Sequence, residues 1–113
     1  MRAIRKREYL TLLSQAQNRH KRRRALLDTA DKGEILAVSE VIDNLLKGNL
    51  PLNQDHRRKL KRYKNSFRSI ASKRVPLKTK RVLIQQRGGF ISAILPLALS
   101  LLGGIGKIFT GGK

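Results

Sequence analysis

The chain has 113 residues, with 26 Lys+Arg against 7 Asp+Glu and no Cys or Trp, for a formal charge of +19. That length suits one small domain with tails and excludes a Rossmann sheet, a TIM barrel or a kinase core. Lack of Cys excludes disulfide scaffolds, Cys-ligated zinc and thiol catalysis, and self-repulsion at this charge points to a polyanion partner, nucleic acid first and an anionic membrane second.

The charge is blocked along the chain. Residues 1–27 carry net +8, residues 28–50 −3, residues 51–87 +12 and residues 88–113 +2. The charged N-terminus lacks an apolar stretch, so no secretory signal is expected. Ile4, Tyr9, Leu12, Leu13 and Ala16 follow a roughly helical rhythm and predict a first helix. A second runs from about His20 to Ala30, with Leu26 and Leu27 as its apolar points.

The third helix is the clearest. Asp31 and Glu34 match a capping box, and Ala30 and Ile35 stand at the hydrophobic-staple positions. Ile35, Val38, Val41, Ile42, Leu45 and Leu46 recur at steps of three and four, hence on one face. Gly48 and Asn49, both tolerant of left-handed backbone, supply the stop, and Pro51 prevents continuation.

Asn53 is a natural N-cap for a fourth helix. Its apolar stripe is Leu60, Tyr63, Phe67 and Ile70, and Arg57, Arg58, Lys61, Arg62, Lys64 and Arg68 fill the remaining surface. Pro76 suits the first position of a fifth helix whose Leu77, Val82, Leu83 and Ile84 bury one side. The expectation is all-α: a loosely packed bundle of about four to five short helices in residues 1–87, with an apolar tail at 88–113. The 32 apolar residues before Gly88 allow a small core and a marginal one.

From Gly88 to Gly106 there are 19 residues without a charge. As a helix they would span about 28 Å, close to the ~30 Å hydrocarbon core of a bilayer. Pro96, Gly103, Gly104 and Gly106 weaken such a helix. Three readings stay open: membrane contact, by spanning or by an interfacial helix from Ile91 to Leu102; self-association; or cover for the bundle by Ile91, Leu95, Leu99 and Leu102. Under the membrane reading the contacts are Phe90, Ile91, Ile94, Leu95, Leu97, Leu99, Leu101, Leu102, Ile105, Ile108 and Phe109.

No catalytic constellation stands out, and neither enzyme activity, a metal nor a cofactor is expected. His20 and His56 lie in different helices among cations, which reads as solvated imidazoles beside phosphate-binding arginines. Asp28, Asp31, Glu34, Glu40 and Asp43 are explained by capping and surface charge. Gly88-Gly89 lacks the framework of a phosphate loop.

The basic blocks carry the functional signal. Lys21–Arg24 is four cations in a row, and Arg57–Lys64 holds six in eight residues. Candidate phosphate contacts are Arg5, Lys6, Arg7, Lys21, Arg22, Arg23, Arg24, Arg57, Arg58, Lys61, Arg62, Lys64, Arg68, Lys73, Arg74, Lys78, Lys80 and Arg81. Such contacts give salt-sensitive, sequence-independent affinity. No zinc-finger spacing, basic-zipper pattern or RNP-like aromatic pair offers base reading, and Tyr63 and Phe67 fit a core better than a stacking platform. Double-stranded DNA is the preferred partner; RNA, acidic protein and nuclear import are the bland alternatives.

Two stretches carry a resemblance. The run Arg87-Gly88-Gly89-Phe90-Ile91-Ser92-Ala93-Ile94-Leu95-Pro96-Leu97 resembles the C-terminal segment of the adenovirus core protein X family, precursors of the small basic peptide mu. The segment Leu45-Leu46-Lys47-Gly48-Asn49-Leu50-Pro51-Leu52, with Leu60-Lys61-Arg62-Tyr63-Lys64, resembles short late proteins of Polinton/Maverick elements and adintoviruses. The resemblance implies a late, DNA-condensing core or minor structural protein of a double-stranded DNA virus or virus-like element. It implies location in the virion and host nucleus, with capsid proteins and a viral cysteine protease as partners. It also implies cleavage between Gly89 and Phe90, after Gly88-Gly89, although Gln86 stands where that family favours Met, Leu or Ile. The rival class is a membrane-active or membrane-anchored protein using the 90–113 segment, its basic region on anionic lipid or acidic partners. A sequence-preferring regulatory factor is a second rival.

Overall fold

The computed structural model describes residues 6–16 and 19–111, with side chains as far as Ser100. The described residues form seven helices and no strand: α1 (Arg7–Gln15), α2 (His20–Asp28), α3 (Lys32–Leu46), α4 (Gln54–Arg62), α5 (Lys64–Ala71), α6 (Leu77–Gln86) and α7 (Gly88–Gly111). The all-α class is as expected, but the count of four to five is corrected for two reasons. The fourth predicted helix breaks at Tyr63 into α4 and α5, and the tail is itself helical. The expected looseness is corrected too. The radius of gyration, 13.3 Å, equals the roughly 13 Å of a folded domain of this length.

α3 starts and stops as its sequence dictates. The Glu34 N–H donates to Asp31 Oδ1 at 2.7 Å, and the Asp31 N–H donates to Glu34 Oε1 at 3.0 Å. Ala30 and Ile35 are both buried beside this box. The backbone hydrogen bond from Glu34 holds the Asp31 carboxyl below the ordinary carboxylate range, with Lys6 adding to the effect. At the other end Gly48, alone among the described residues, takes a positive φ, 77°. The Gly48 N–H donates to Leu45 O at 3.1 Å and the Asn49 N–H to Asn44 O at 3.0 Å, a Schellman ending. Between these ends Ile35, Ala37, Val38, Val41, Ile42 and Leu45 enter the core.

Around α3 the shorter helices other than α4 bury two or three residues each. α1 contributes Tyr9, Leu10 and Leu13, and the Tyr9 hydroxyl donates to Leu26 O at 2.9 Å. Burial pushes that phenol far up from its ordinary pKa. α5 contributes Phe67 and Ile70. In α6, Pro76 occupies the N-cap and not the first helical position, and Val82 is 51 % exposed, so two expectations for this helix are corrected. Ile84 is buried, Leu77 and Leu83 are half-buried, and the interior seat expected for Val82 belongs to Lys80.

α7 takes the third of the readings left open for the tail, cover for the bundle, with Ile91, Leu95 and Leu99 buried and the side chain of Leu102 outside the described set. It leaves α6 at a bend of 93° and packs more extensively against α1 than any other helix pair does. Phe90, Ile91, Ile94, Leu95, Ala98 and Leu99 form a buried stripe at helical spacing. Pro96 faces solvent, and the helical backbone runs on past it and past Gly103, Gly104 and Gly106. Burying a large apolar side chain contributes about 1.5–3 kcal/mol relative to exposure. Phe90, Ile91, Ile94, Leu95 and Leu99 together then approach the roughly 5–15 kcal/mol net stability of a whole domain. Residues 88–100 are part of the core, not an appendage to it.

Candidate nucleic-acid interface

Two cations expected on the phosphate surface are drawn inside, and a third, Arg81, is half-buried and spent on backbone carbonyls. Arg23 is 7 % exposed and hydrogen-bonds His20 Nδ1 through Nη2 at 2.9 Å. Its side chain lies on Gly88 so closely that a Cβ there would sit 2.5 Å from Arg23 Nε. Lys80 is 2 % exposed, and its Nζ donates to Ile70 O at 2.7 Å and Ser39 Oγ at 3.3 Å. Burial lowers its pKa. Arg81 donates through Nη1 to Leu27 O and through Nη2 to Ala30 O at 2.9 Å. It closes the carbonyl end of α2, where a cation also meets the favourable end of the helix dipole. These positions correct the reading of Arg23, Lys80 and Arg81 as surface contacts.

The other described candidates stay outside. Arg7, Lys21, Arg22, Arg24, Arg57, Arg58, Lys61, Arg62, Lys64, Arg68, Lys73, Arg74 and Lys78 are exposed. Lys6 is half-buried and pairs with Asp31 at 3.4 Å. Arg5 lies outside the described residues. Lys21, Arg22, Arg57, Lys61, Arg62, Lys64 and Arg68 have no carboxylate within ion-pair distance among the described residues. Arg24 and Arg58 meet Asp28 and Asp55 only at 4.0 and 3.9 Å, on the surface, where such pairs contribute little.

The two basic blocks meet at the start of α7. Arg23, in the first block, covers Gly88. Next along the chain, Arg87 places its guanidinium carbon 3.9 Å from the centroid of the Tyr63 ring, between Arg62 and Lys64 of the second block. One turn further, Phe90 receives the edge of the His56 ring at 5.8 Å and tilts against Phe67 at 5.2 Å. The α6–α7 corner therefore joins α2 to the α4–α5 corner, although their basic runs are more than thirty residues apart.

α4 is the most exposed helix of the set. It has no buried residue, and only His56 and Leu60 are half-buried. Asn53 caps it, accepting from the His56 N–H at 2.8 Å. Its other side chains, Arg57, Arg58, Lys59, Lys61 and Arg62 among them, point outward. His56 is not the solvated imidazole expected, because its Nδ1 is buried without a hydrogen-bond partner and its ring rests on Phe90. His20 is exposed.

The membrane and cleavage candidates fall in the same core. Phe90, Ile91, Ile94, Leu95 and Leu99 are buried and Leu97 is half-buried, while the side chains of Leu101, Leu102, Ile105, Ile108 and Phe109 lie outside the described set. Among the described residues no single helix is long and apolar enough to cross a membrane; α6 and residues 88–100 pass that test only together, across their bend. The Gly89–Phe90 bond lies in the first turn of α7, with Gly88 under Arg23 and Phe90 9 % exposed. Among the described residues no three His, Cys, Asp or Glu side chains gather where they would hold a metal ion.

Arg87 is a member of this surface that sequence reasoning misses. Its basic block was visible; its pairing with Tyr63 depends on two helix breaks that apolar spacing does not reveal. No family model, characterised protein or solved structure matches this chain.

Proposed function

We propose that this protein binds and condenses double-stranded DNA, without enzymatic activity and without sequence preference, as a core or minor structural protein of a DNA virus or virus-like element. The observation that supports this reading is the meeting of the two basic blocks at the α6–α7 corner, beside a helix, α4, with no buried side chain. A nine-residue helix with five exposed cations touches the core only through His56 and Leu60, and its dense charge is offset when phosphates replace counterions. The viral assignment rests on the resemblance of Leu45–Leu52 and Arg87–Leu97 to the late proteins described above, with capsid proteins as neighbours and virion and nucleus as sites of action.

Two elements of the wider reading change on the structure. An apolar membrane surface in residues 90–99 would have to be drawn from the bundle core. Cleavage after Gly89 would require unwinding the first turn of α7, since proteases bind substrate as extended chain.

The test is fluorescence anisotropy of a random-sequence 30-base-pair duplex and an unrelated duplex across a sodium chloride series. Equal affinity for the two, falling steeply with salt, is the expected result. Affinity indifferent to salt, or a large preference for one duplex, removes the reading.

A further inference from the structure

A cleft of about 760 Å³ opens on the other functional half of the molecule, between α3 and the α5–α6 connection. Clefts of roughly 300–1,000 Å³ with mainly apolar walls and a few placed polar groups are the usual form of binding sites. Here Leu36, Ala71, Val75, Pro76 and Leu77 supply the apolar wall, and Ser39 and Lys80 the polar base.

The base is chemically incomplete. Lys80 Nζ donates to Ile70 O, near the carbonyl end of α5, and to Ser39 Oγ, while the Ser39 hydroxyl donates to Ile35 O at 3.2 Å. Two of the three ammonium N–H groups are thus used on neutral acceptors. No carboxylate lies within ion-pair distance of Lys80 among the described residues. A buried ammonium without a counter-charge is unfavourable until an anion reaches it. Rim residues Lys32, Lys73 and Arg74 are exposed and equally lack a carboxylate partner.

We propose that this cleft seats an acidic segment of a protein partner, with apolar side chains on the Leu36–Val75–Leu77 wall and one carboxylate directed to Lys80. Nucleic acid is the poorer occupant, because Glu40 lines the same cleft without a cation in ion-pair distance among the described residues and repels a continuous phosphate backbone, while Asp43 beside it is paired with Lys47 at 2.8 Å. A peptide places a single carboxylate between Lys80 and the Lys73–Arg74 rim and passes the acidic wall with neutral groups. The cleft is bounded by α3, in the one acidic block of the sequence. The two faces would let the chain hold a polyanion and a protein together, and the cleft proposal stands whether or not the polyanion is DNA.

The experiment uses the full chain and fluorescein-labelled pools of apolar nonapeptides carrying one central Glu, against the same pools with Gln. The Glu pool is expected to bind about tenfold tighter, the scale of one charge-assisted hydrogen bond. Lys80→Met should abolish the preference, and the rim pair Lys73→Glu/Arg74→Glu should abolish binding. Arg57→Glu/Arg62→Glu, on α4, should change neither, and saturating duplex should not displace the peptide. Circular dichroism checks each variant; if Lys80→Met does not fold, the rim pair decides. Equal binding of the two pools overturns the proposal. So does a Glu preference lost in the α4 pair but kept in the rim pair, or displacement of the peptide by duplex.

Discussion

Arg87 lies over Tyr63, its guanidinium carbon 3.9 Å from the ring centroid, and each of these residues is a break between two helices. Tyr63 sits at φ −108°, ψ 25° between α4 and α5, and Arg87 at φ −105°, ψ 17° between α6 and α7. Neither is Gly or Pro. The breaks coincide with the cation–ring contact that pins one corner to the other.

That clamp is open to a double-mutant cycle. Cation–ring contacts contribute about 0.5–1 kcal/mol when exposed and about 2 when desolvated. With Arg87→Met, Tyr63→Leu and the double variant, urea unfolding should give a coupling energy of about 1 kcal/mol. A coupling indistinguishable from zero would mean the two corners are held by apolar packing alone.

Gly88 and Gly89 should respond oppositely to alanine. A Cβ at Gly88 would meet Arg23 Nε at 2.5 Å, whereas one at Gly89 meets nothing within 4 Å. Gly89→Ala is therefore expected to stabilise by about 0.5–1 kcal/mol, through reduced backbone freedom in the unfolded chain. Gly88→Ala should destabilise by about 1–3 kcal/mol through overpacking, and Arg23→Ala should relieve part of that loss. Two stabilising alanines in thermal unfolding would show that Arg23 does not seal the corner.

Stability should vary with pH in three separable ways. The lowered Asp31 carboxyl contributes stability above its unfolded pKa, and that contribution is lost as pH falls through the folded value. Lys80 has the same sign in another pH range: its folded pKa is lowered, so the unfolded chain holds more protons in the alkaline range. Stability should then rise from the folded Lys80 pKa towards the unfolded value of about 10.4. Tyr9 opposes this from about pH 10 upward, because its raised phenol pKa makes the unfolded chain lose its proton first. Urea midpoints of wild type and Lys80→Met across pH 7–10.5 test this, and parallel curves would refute the assignment to Lys80.

The DNA face makes a quantitative demand. Affinity should fall with salt with a log–log slope of about −0.9 per phosphate neutralised. Arg57→Gln/Arg62→Gln should reduce that slope by about 2 and weaken all duplexes alike. Arg81→Gln should leave the slope nearly unchanged and reduce stability, since this arginine serves the carbonyl end of α2. Equal slopes in wild type and the Arg57/Arg62 pair would take α4 out of the interface.

Much of the fold was legible where local chemistry sufficed. The Asp31–Glu34 box, the Gly48 stop and the Asn53 cap each bond within a few residues, so their sequence signatures and their geometry coincide. The basic blocks were legible as composition. What the sequence concealed was long-range. The stripe Leu60, Tyr63, Phe67 and Ile70 has the spacing of one helix, yet the chain breaks within it where a residue 24 positions later stacks on the ring. The uncharged run after Gly88 has the composition of a membrane segment, and only the apolar surface offered by α1 and its neighbours shows what it covers. Lys80 and Arg81 read as solvent-facing because acceptors that hold them, Ser39 and Leu27, lie 41 and 54 residues earlier in the chain.

With no residue in the interior, α4 is the element whose loss costs the core least, and local opening of such a segment requires little free energy. A cationic strip so lightly tied to the core can follow whatever curvature a phosphate backbone presents, straight or bent. Neutralising its crowded positive side chains would in turn firm up its own turns, so a bound polymer would act as a mould for the helix that grips it.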